Sequence, residues 1–336
     1  MAGDLTPAAR APLVAAAFLV LLAGMGGGLA RLGFDWPFPM AAAHHGTLMV
    51  GGFFGTVIAL ERAVALARAW AYAAPLASAA GALLLLIGMP SGAYLLVLAG
   101  LVFLGASVCV WRRQRVFFTA VLLGGAACWL LGNTLAAAYG PAAALPWWIA
   151  FFVLTIAGER LELNRLLPPR RKARDIFAAI VLCLLVGGFA SGTLFSLSLA
   201  AMAAWLAVND VARHTVKGRG LPRYVAASLL AGYAWLLAGG LLMLVPMRDA
   251  ALHAVLIGFV FSMVFGHAPI IFPSILRVRI GYSPWMYLPL ALLHASLAIR
   301  VAGHTALGGA GNALAILVFL FTMAGITLRT RLAVAS

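Results

Sequence analysis

The chain alternates between long apolar runs and short connections that carry charges, prolines or glycines. Each run is close to the roughly 20 residues that an α-helix needs to cross a hydrocarbon core of about 30 Å. The pattern predicts an all-α, polytopic integral membrane protein with twelve transmembrane helices, numbered 1 to 12 in chain order. The runs lie near residues 11–30, 41–60, 70–88, 92–110, 116–138, 146–166, 175–190, 193–212, 223–246, 250–275, 284–302 and 308–328.

Composition agrees with this pattern. Hydrophobic residues make up 65% of the chain, charged residues only 9%, and the mean hydropathy is +1.07, which is outside the range of water-soluble proteins. The twelve runs use almost all of the 336 residues, so a single transmembrane domain over 1–336 is expected. The first run follows Arg10 without a small-residue cleavage site, and it is interpreted as an uncleaved first helix.

The basic residues lie mainly in alternate connections. Connections after even-numbered helices each hold between two and five Arg or Lys residues, whereas those after odd-numbered helices hold at most one. This distribution is typical of the positive-inside rule and predicts both termini in the cytoplasm. It also accounts for the net charge of +15, so nucleic-acid binding is rejected, and the expected setting is a bacterial-type inner membrane with the lipid bilayer as the main partner.

The three cysteines do not form a metal motif. Cys109, Cys128 and Cys183 are far apart, and the chain contains neither C-x-x-C nor C-x-x-C-H. A zinc ribbon and covalent c-type haem attachment are therefore not indicated. Any haem would be of the non-covalent b type.

An ionisable side chain inside a membrane costs free energy, so each one calls for a structural or functional explanation. His44 and His45 lie about one turn inside the outer end of helix 2, and His253 lies at a similar depth in helix 10. Two imidazoles at one depth on different helices are typical axial ligands of a haem. Small residues after His45, namely Gly51, Gly52 and Gly55, would let the macrocycle approach, and Arg248 and Arg300 would pair with its carboxylates. The alternative is that these histidines are interfacial or hydrogen-bonded packing residues.

The run His45-Gly46-x-x-Met49 before a Gly/Phe-rich stretch resembles helix 2 of the haem–copper oxidase subunit I superfamily. That family has twelve helices, and the histidine of this pattern binds its low-spin haem. The resemblance implies a second ligand on helix 10, where this chain has His253, and Met49 beside the cofactor. Residue similarity is confined to helix 2.

The chain departs from that family at its copper site. Helices 6 and 7 contain no histidine, and helix 10 has no H-x-H pair, so an oxygen-reducing haem–copper centre is not expected. The chain is most similar in this respect to NnrS-type membrane proteins, which bind haem and copper and are linked to nitric oxide metabolism. The resemblance implies electron transfer or binding of a small gas, with a redox partner to be found; oligomeric state is left open.

A second pair of histidines lies deeper in the chain, His267 on helix 10 and His294 on helix 11. His253 and His267 are separated by about 21 Å of helical rise, so they cannot share one metal. His267 and His294, with Met263 one turn away, are candidate ligands of a second haem or of copper. The alternative is a hydrogen-bonded helix contact beside Pro269 and Pro273.

Carboxylates and arginines cluster at the ends of helices 2 and 6, as Glu61, Arg62, Glu159, Arg160 and Glu162. Glu159 and Glu162 share a helical face. The cluster is interpreted as ion pairs with neighbouring arginines or as a proton path.

Two other functions remain open. One is a proton-coupled secondary transporter without cofactor, in which Gly266, Pro269 and Pro273 interrupt helix 10 around a substrate. The other is an enzyme acting at the carboxylate cluster, although no spacing there specifies a reaction, so enzyme activity stays undecided.

Overall fold

The computed structural model describes residues 4–164 and 171–335, with side chains as far as Leu332. All elements in these residues are helical. Within these ranges twelve long helices follow one another as α1 (Pro7–Ala30), α2 (Pro39–Leu66), α3 (Ala69–Leu86), α4 (Gly92–Arg113), α5 (Phe117–Tyr139), α6 (Pro141–Asn164), α7 (Arg171–Ala190), α8 (Gly192–Asn209), α9 (Gly220–Leu242), α10 (Arg248–Leu276), α11 (Tyr287–Val301) and α12 (Thr305–Ala335). Arg165 and Arg170, two of the basic residues in the connection after helix 6 that the topology prediction counts, lie outside the described residues.

Eleven of these helices in the described ranges are long and apolar enough to cross a membrane. This confirms an all-helical protein with many candidate membrane spans, as the hydropathy pattern predicts. The other helix, α11, has 15 residues and is preceded by a 3₁₀ turn, Pro284–Met286. At 1.5 Å per residue it is about 22 Å long, so the twelfth span stays a prediction.

Several helices extend further than the apolar runs. Helix α2 reaches Leu66 and therefore includes Glu61 and Arg62, which the sequence pattern placed at its end. A run that is cut at the first charge is too short, because long polar side chains at a helix end can reach the interface while the backbone stays helical.

The chain divides into two compact units. The first runs to Gly158 and also contains Ile275–Arg277, and the second contains Glu159–Ser274 and the residues from Val278 onward. In the first unit α1 packs against α2, and α3, α4 and α5 pack in sequence; in the second, α7, α8, α9 and α10 do so, and α11 pairs with α12. The prediction of a single membrane domain stays a prediction.

Helices α2 and α10 are each interrupted by a π-helical segment. In α2 it covers Leu48–Phe54 and in α10 it covers Ala254–Phe261. The two prolines of α10 do not interrupt it, since the α-helix continues through Pro269 and Pro273 to Leu276. π-Helical segments are rare and occur frequently at functional sites.

Candidate functional site

His45 is held against a glycine-rich stretch of α1. Its Nδ1 lies 2.6 Å from the main-chain oxygen of Gly24, and a Cβ built on Gly28 would lie 2.8 Å from the Cε1 atom of His45. At the adjacent Gly27, a built Cβ would lie 2.1 Å from the main-chain oxygen of Ala41. The glycines of α1 therefore allow α2 to approach closely enough for His45 to reach the Gly24 carbonyl.

This hydrogen bond fixes the tautomer of His45. A carbonyl oxygen can only accept, so the proton of the neutral ring is on Nδ1 and Nε2 keeps its lone pair. Histidines that bind a metal through Nε2 almost always donate Nδ1–H to a carbonyl or carboxylate in this way. The chemistry of His45 therefore fits the ligand role that the sequence predicts, and it is His45 rather than His44 for which the structure gives an orienting carbonyl.

The π-helical segment after His45 is stabilised by a neighbouring helix. Ser78 of α3 donates to the main-chain oxygen of Gly51 at 2.6 Å and approaches that of Gly52 at 3.3 Å, and Thr56 donates to Ser78. A backbone carbonyl that loses its regular helical partner inside a membrane needs another donor. Ser78 therefore supplies a side-chain donor at the irregular backbone of α2.

Most glycines of α2 do not offer space for a macrocycle, which corrects the sequence-based expectation. Gly51 faces Leu96, Gly52 faces Val20 and Ala82, and Gly55 faces Trp129, each closer than 3.0 Å to a built Cβ. Among the described residues, a Cβ on Gly46 would meet only Trp148, at 4.0 Å outside its own helix. Helix packing has filled the other positions.

The side chain of Met49 packs against α1. Its sulfur lies 2.7 Å from a Cβ built on Gly24, and Met49 is buried. The thioether thus fills the space that Gly24 leaves. This contact gives Met49 a packing role, and its place beside a cofactor stays a prediction from the family resemblance.

His253, at the N-terminal end of α10, has the same tautomer as His45. Its Nδ1 lies 2.8 Å from the main-chain oxygen of Asp249 and 3.3 Å from Oδ1 of the same residue. Both neighbours are acceptors, so Nδ1 carries the proton and Nε2 keeps its lone pair. His253 therefore also fits a ligand that binds through Nε2.

Arg300 is committed to Asp249. Its Nε and Nη2 donate to the two carboxylate oxygens at 2.9 Å each, and its side chain is only 8% exposed. Arg248 is exposed. The sequence predicted that both arginines pair with porphyrin carboxylates. In the structure, Asp249 already binds two of the three guanidinium nitrogens of Arg300.

His267 and His294 have opposite tautomers. Nδ1 of His267 lies 2.8 Å from the main-chain oxygen of Met263 and so carries a proton. Nδ1 of His294 accepts a hydrogen bond of 2.9 Å from Nε1 of Trp235, and because an indole nitrogen only donates, the proton of the neutral His294 ring is on Nε2. A metal bond through Nε2 of His294 would require this bond to Trp235 to break. His294 therefore does not fit a metal ligand in this arrangement, whereas His267 does.

The described residues contain no group of three His, Cys, Asp or Glu side chains that could hold a metal ion. A copper site built from such a group is not supported there. Haem needs only two protein ligands, so this finding does not bear on it.

The carboxylate cluster at the end of α6 is organised by a residue that the sequence reasoning missed. Arg160 donates from Nε and Nη2 to Asp210 at 2.7 and 2.8 Å, and Tyr233 and the main-chain nitrogen of Ala212 donate to the same carboxylate. Both charged side chains are buried, at 4% and 0% exposure. Asp210 is one of only eight acidic residues, and this scarcity was the available signal.

The fully paired Asp210 is typical of a structural ion pair. Its four donors compensate the loss of water, so the arrangement links α6 and α9 through the connection after α8. Glu61, Arg62, Glu159 and Glu162 are half-buried, and a role for them in proton transfer stays a prediction.

The chain matches the model of a family described as a domain of unknown function, DUF8744, over residues 10–328. No curated protein and no solved structure matches it. The match covers nearly the whole chain, and the protein belongs to the DUF8744 family.

Proposed function

We propose that this DUF8744-family protein is an integral membrane haem protein in which His45 and His253 are the axial ligands. The observation that carries the proposal is that each histidine donates Nδ1–H to a main-chain carbonyl, which is the orientation typical of histidines that bind a metal through Nε2. Each also precedes a π-helical segment, a feature enriched at functional sites.

The function that follows is electron transfer, or binding of a small gas such as nitric oxide in respiratory metabolism. A haem with two axial imidazoles supplies one-electron transfer, because no coordination position is open. A gas would have to displace His45 or His253. Copper is left out of the proposal, because neither His294 nor any three-residue group in the described ranges fits it.

The proposed topology is twelve spans in a bacterial-type inner membrane with both termini in the cytoplasm. The distribution of Arg and Lys between alternate connections supports it. Reporter fusions after residues 34, 90 and 140 should be active outside the cytoplasm, and a C-terminal fusion should be active inside. The reverse result would overturn the orientation.

The test of haem binding is the reduced-minus-oxidised absorption spectrum of detergent-purified protein with iron analysis on the same sample. We expect sharp α and Soret bands and about one iron per chain, as expected for one haem held by two ligands. The variants His45→Ala and His253→Ala should lose most of the iron. His304→Ala, at an exposed histidine, is the matched control and should keep it.

His267→Ala separates the ligand assignments, because His267 has the same tautomer as the two proposed ligands. Iron loss in this variant together with full retention in His253→Ala would move the second ligand to His267. Full retention in both His45→Ala and His253→Ala, or a colourless wild-type protein after expression with adequate haem, would overturn the proposal and favour a transporter.

A further inference from the structure

Three side chains lie side by side at the N-terminal end of α10. Arg300 of α11 binds both carboxylate oxygens of Asp249 at 2.9 Å. Oδ1 of Asp249 lies 3.3 Å from Nδ1 of His253, and the main-chain oxygen of Asp249 lies 2.8 Å from the same nitrogen. The proton on Nδ1 of His253 therefore faces two acceptors that belong to one residue.

The burial of these groups is unequal. The side chain of Arg300 is 8% exposed and that of His253 20%, whereas that of Asp249 is 46% exposed. A buried guanidinium without a partner costs free energy. The ion pair with Arg300 therefore keeps the carboxylate of Asp249 in place even though that side chain is exposed. The two-bond geometry also fixes the plane of the carboxylate, which a single contact would not do.

We propose that Asp249 and Arg300 are positioning residues for His253. The carboxylate places its negative charge beside the Nδ1–H group, which donates to the main-chain oxygen of the same residue, and Arg300 holds the carboxylate. A negative charge beside the Nδ1–H group of a ligand imidazole makes that imidazole a stronger electron donor, which strengthens its bond to a metal and favours the oxidised state of iron. The inference rests on the proposed function, because it concerns His253 as a haem ligand.

The same contacts also have a purely structural consequence, since the pair Arg300–Asp249 joins α11 to α10. A structural role alone predicts that removing the carboxylate lowers thermal stability without changing the electronic properties of a bound haem. The midpoint potential of the haem therefore distinguishes the two roles.

The experiment compares haem affinity, midpoint potential and unfolding temperature in purified holoprotein. Asp249→Asn keeps the main-chain acceptor of His253 but removes the charge, so we expect haem to remain bound with an affinity roughly 10- to 100-fold lower and with a raised midpoint potential. Arg300→Lys keeps the charge but not the two-bond contact, and should change both quantities in the same direction by less. The double variant should be no worse than Asp249→Asn, because the two residues act as one unit.

Asp35→Asn is the matched control, since Asp35 is an exposed carboxylate in the connection between α1 and α2. It should leave affinity and potential unchanged. Wild-type affinity and potential in Asp249→Asn, with only stability reduced, would overturn the inference. If that variant does not fold, an unchanged potential in Arg300→Lys would overturn it. A wild-type protein without haem would instead reject the proposed function first, which is a separate result.

Discussion

Helices α2 and α10 share a local arrangement, but different contacts stabilise it in each helix. Each has a histidine shortly before a π-helical segment, with His45 three residues ahead of Leu48 and His253 directly ahead of Ala254. In α2 the orienting carbonyl comes from α1 and the compensating serine from α3, as Gly24 and Ser78. In α10 both come from the helix itself, as Asp249 and Ser262.

This difference shows that one local arrangement can be supported by tertiary packing or by the same helix. The hydrogen bond of His45 to Gly24 requires α1 to stay within reach, whereas the main-chain partner of His253 is one turn away in the same helix. The pair of Arg300 and Asp249 is the tertiary part of the second arrangement.

At the C-terminal ends of the two helices, it is α10 rather than α2 that depends on a tertiary contact. Both helices are followed by a residue with positive φ, Ala67 and Arg277. The end of α2 is closed by its own backbone, from Ala67 to Ala63. The end of α10 additionally binds a side chain of α1, since Nη1 of Arg10 donates to the Ile275 oxygen at 2.9 Å.

The largest effect expected from this comparison is at the glycine contacts of the two helices. A Cβ on Gly27 would lie 2.1 Å from the main-chain oxygen of Ala41 in α2, whereas a Cβ on Gly232 of α9 would meet Cε of Met263 in α10 at 2.8 Å. Because backbone cannot move aside within a packed pair and the end of a methionine side chain can, Gly27→Ala should cost about 3 kcal/mol, at the upper end for overpacking, and Gly232→Ala less. Unfolding temperatures in detergent measure the loss of stability in both variants. Equal losses would contradict the distinction between a glycine that faces backbone and one that faces a side chain.

A smaller effect is expected at the tryptophans that pack on these helices. Trp129 lies against Gly55 of α2, and its Nε1 has no hydrogen-bond partner among the described residues, whereas Trp235 lies against Gly258 and donates to His294. Trp235→Phe should therefore lose about 1–3 kcal/mol more from the unpaired His294 nitrogen, in addition to the packing that both variants lose.

The measurement is the difference in unfolding free energy or temperature between Trp235→Phe and Trp129→Phe. Trp129→Phe is the control for the loss of ring area. A loss in Trp129→Phe as large as that in Trp235→Phe would show that the bond to His294 adds nothing.

The smallest effect is expected at Asp4, which binds the Arg10 side chain that contacts the C-terminal end of α10, and this effect depends on pH. Asp4 accepts hydrogen bonds from Tyr72 and Arg10. Burial opposes its ionisation, but these bonds and the charge of Arg10 outweigh burial, so the pKa of Asp4 lies below its usual value of 3.8. The stabilisation by ionised Asp4 is therefore present above about pH 4 and is lost as the pH falls through the lowered pKa.

Asp4→Asn should reduce stability at pH 7 by less than about 1 kcal/mol, as for a partly exposed ion pair. The gap in unfolding temperature between this variant and the wild type should shrink below pH 4. A gap that stays constant down to pH 3 would contradict the assignment of the pH dependence to Asp4.

Much of the fold could be predicted from the sequence. Apolar runs of sufficient length located the helices, and charges located their connections, because both signals are sums over neighbouring residues. The π-helical segments were not predicted, since Leu48–Phe54 and Ala254–Phe261 have no sequence feature that distinguishes them from ordinary apolar helix. Their carbonyls depend on donors such as Ser78 that hydropathy does not register.

The candidate site was predicted only as a set of residue types. The sequence indicated His45 and His253 as haem ligands and His267 and His294 as a second candidate pair, and it paired Arg160 with nearby glutamates. The structure separates His294 from the others by its bond to Trp235, and it pairs Arg160 with Asp210. The ligand roles themselves stay predictions.

The sequence by itself determined that the protein is a bundle of apolar helices with a few costly polar side chains inside it. Only the tertiary structure decided which nitrogen of His45 and of His294 carries the proton and which carboxylates meet Arg160 and Arg300. The physical reason is range: hydropathy acts along one helix, whereas the partners of His45, Arg160 and Arg300 lie 21, 50 and 51 residues away in the chain. Such partners are set by helix packing, and packing here depends on where glycines let two backbones meet.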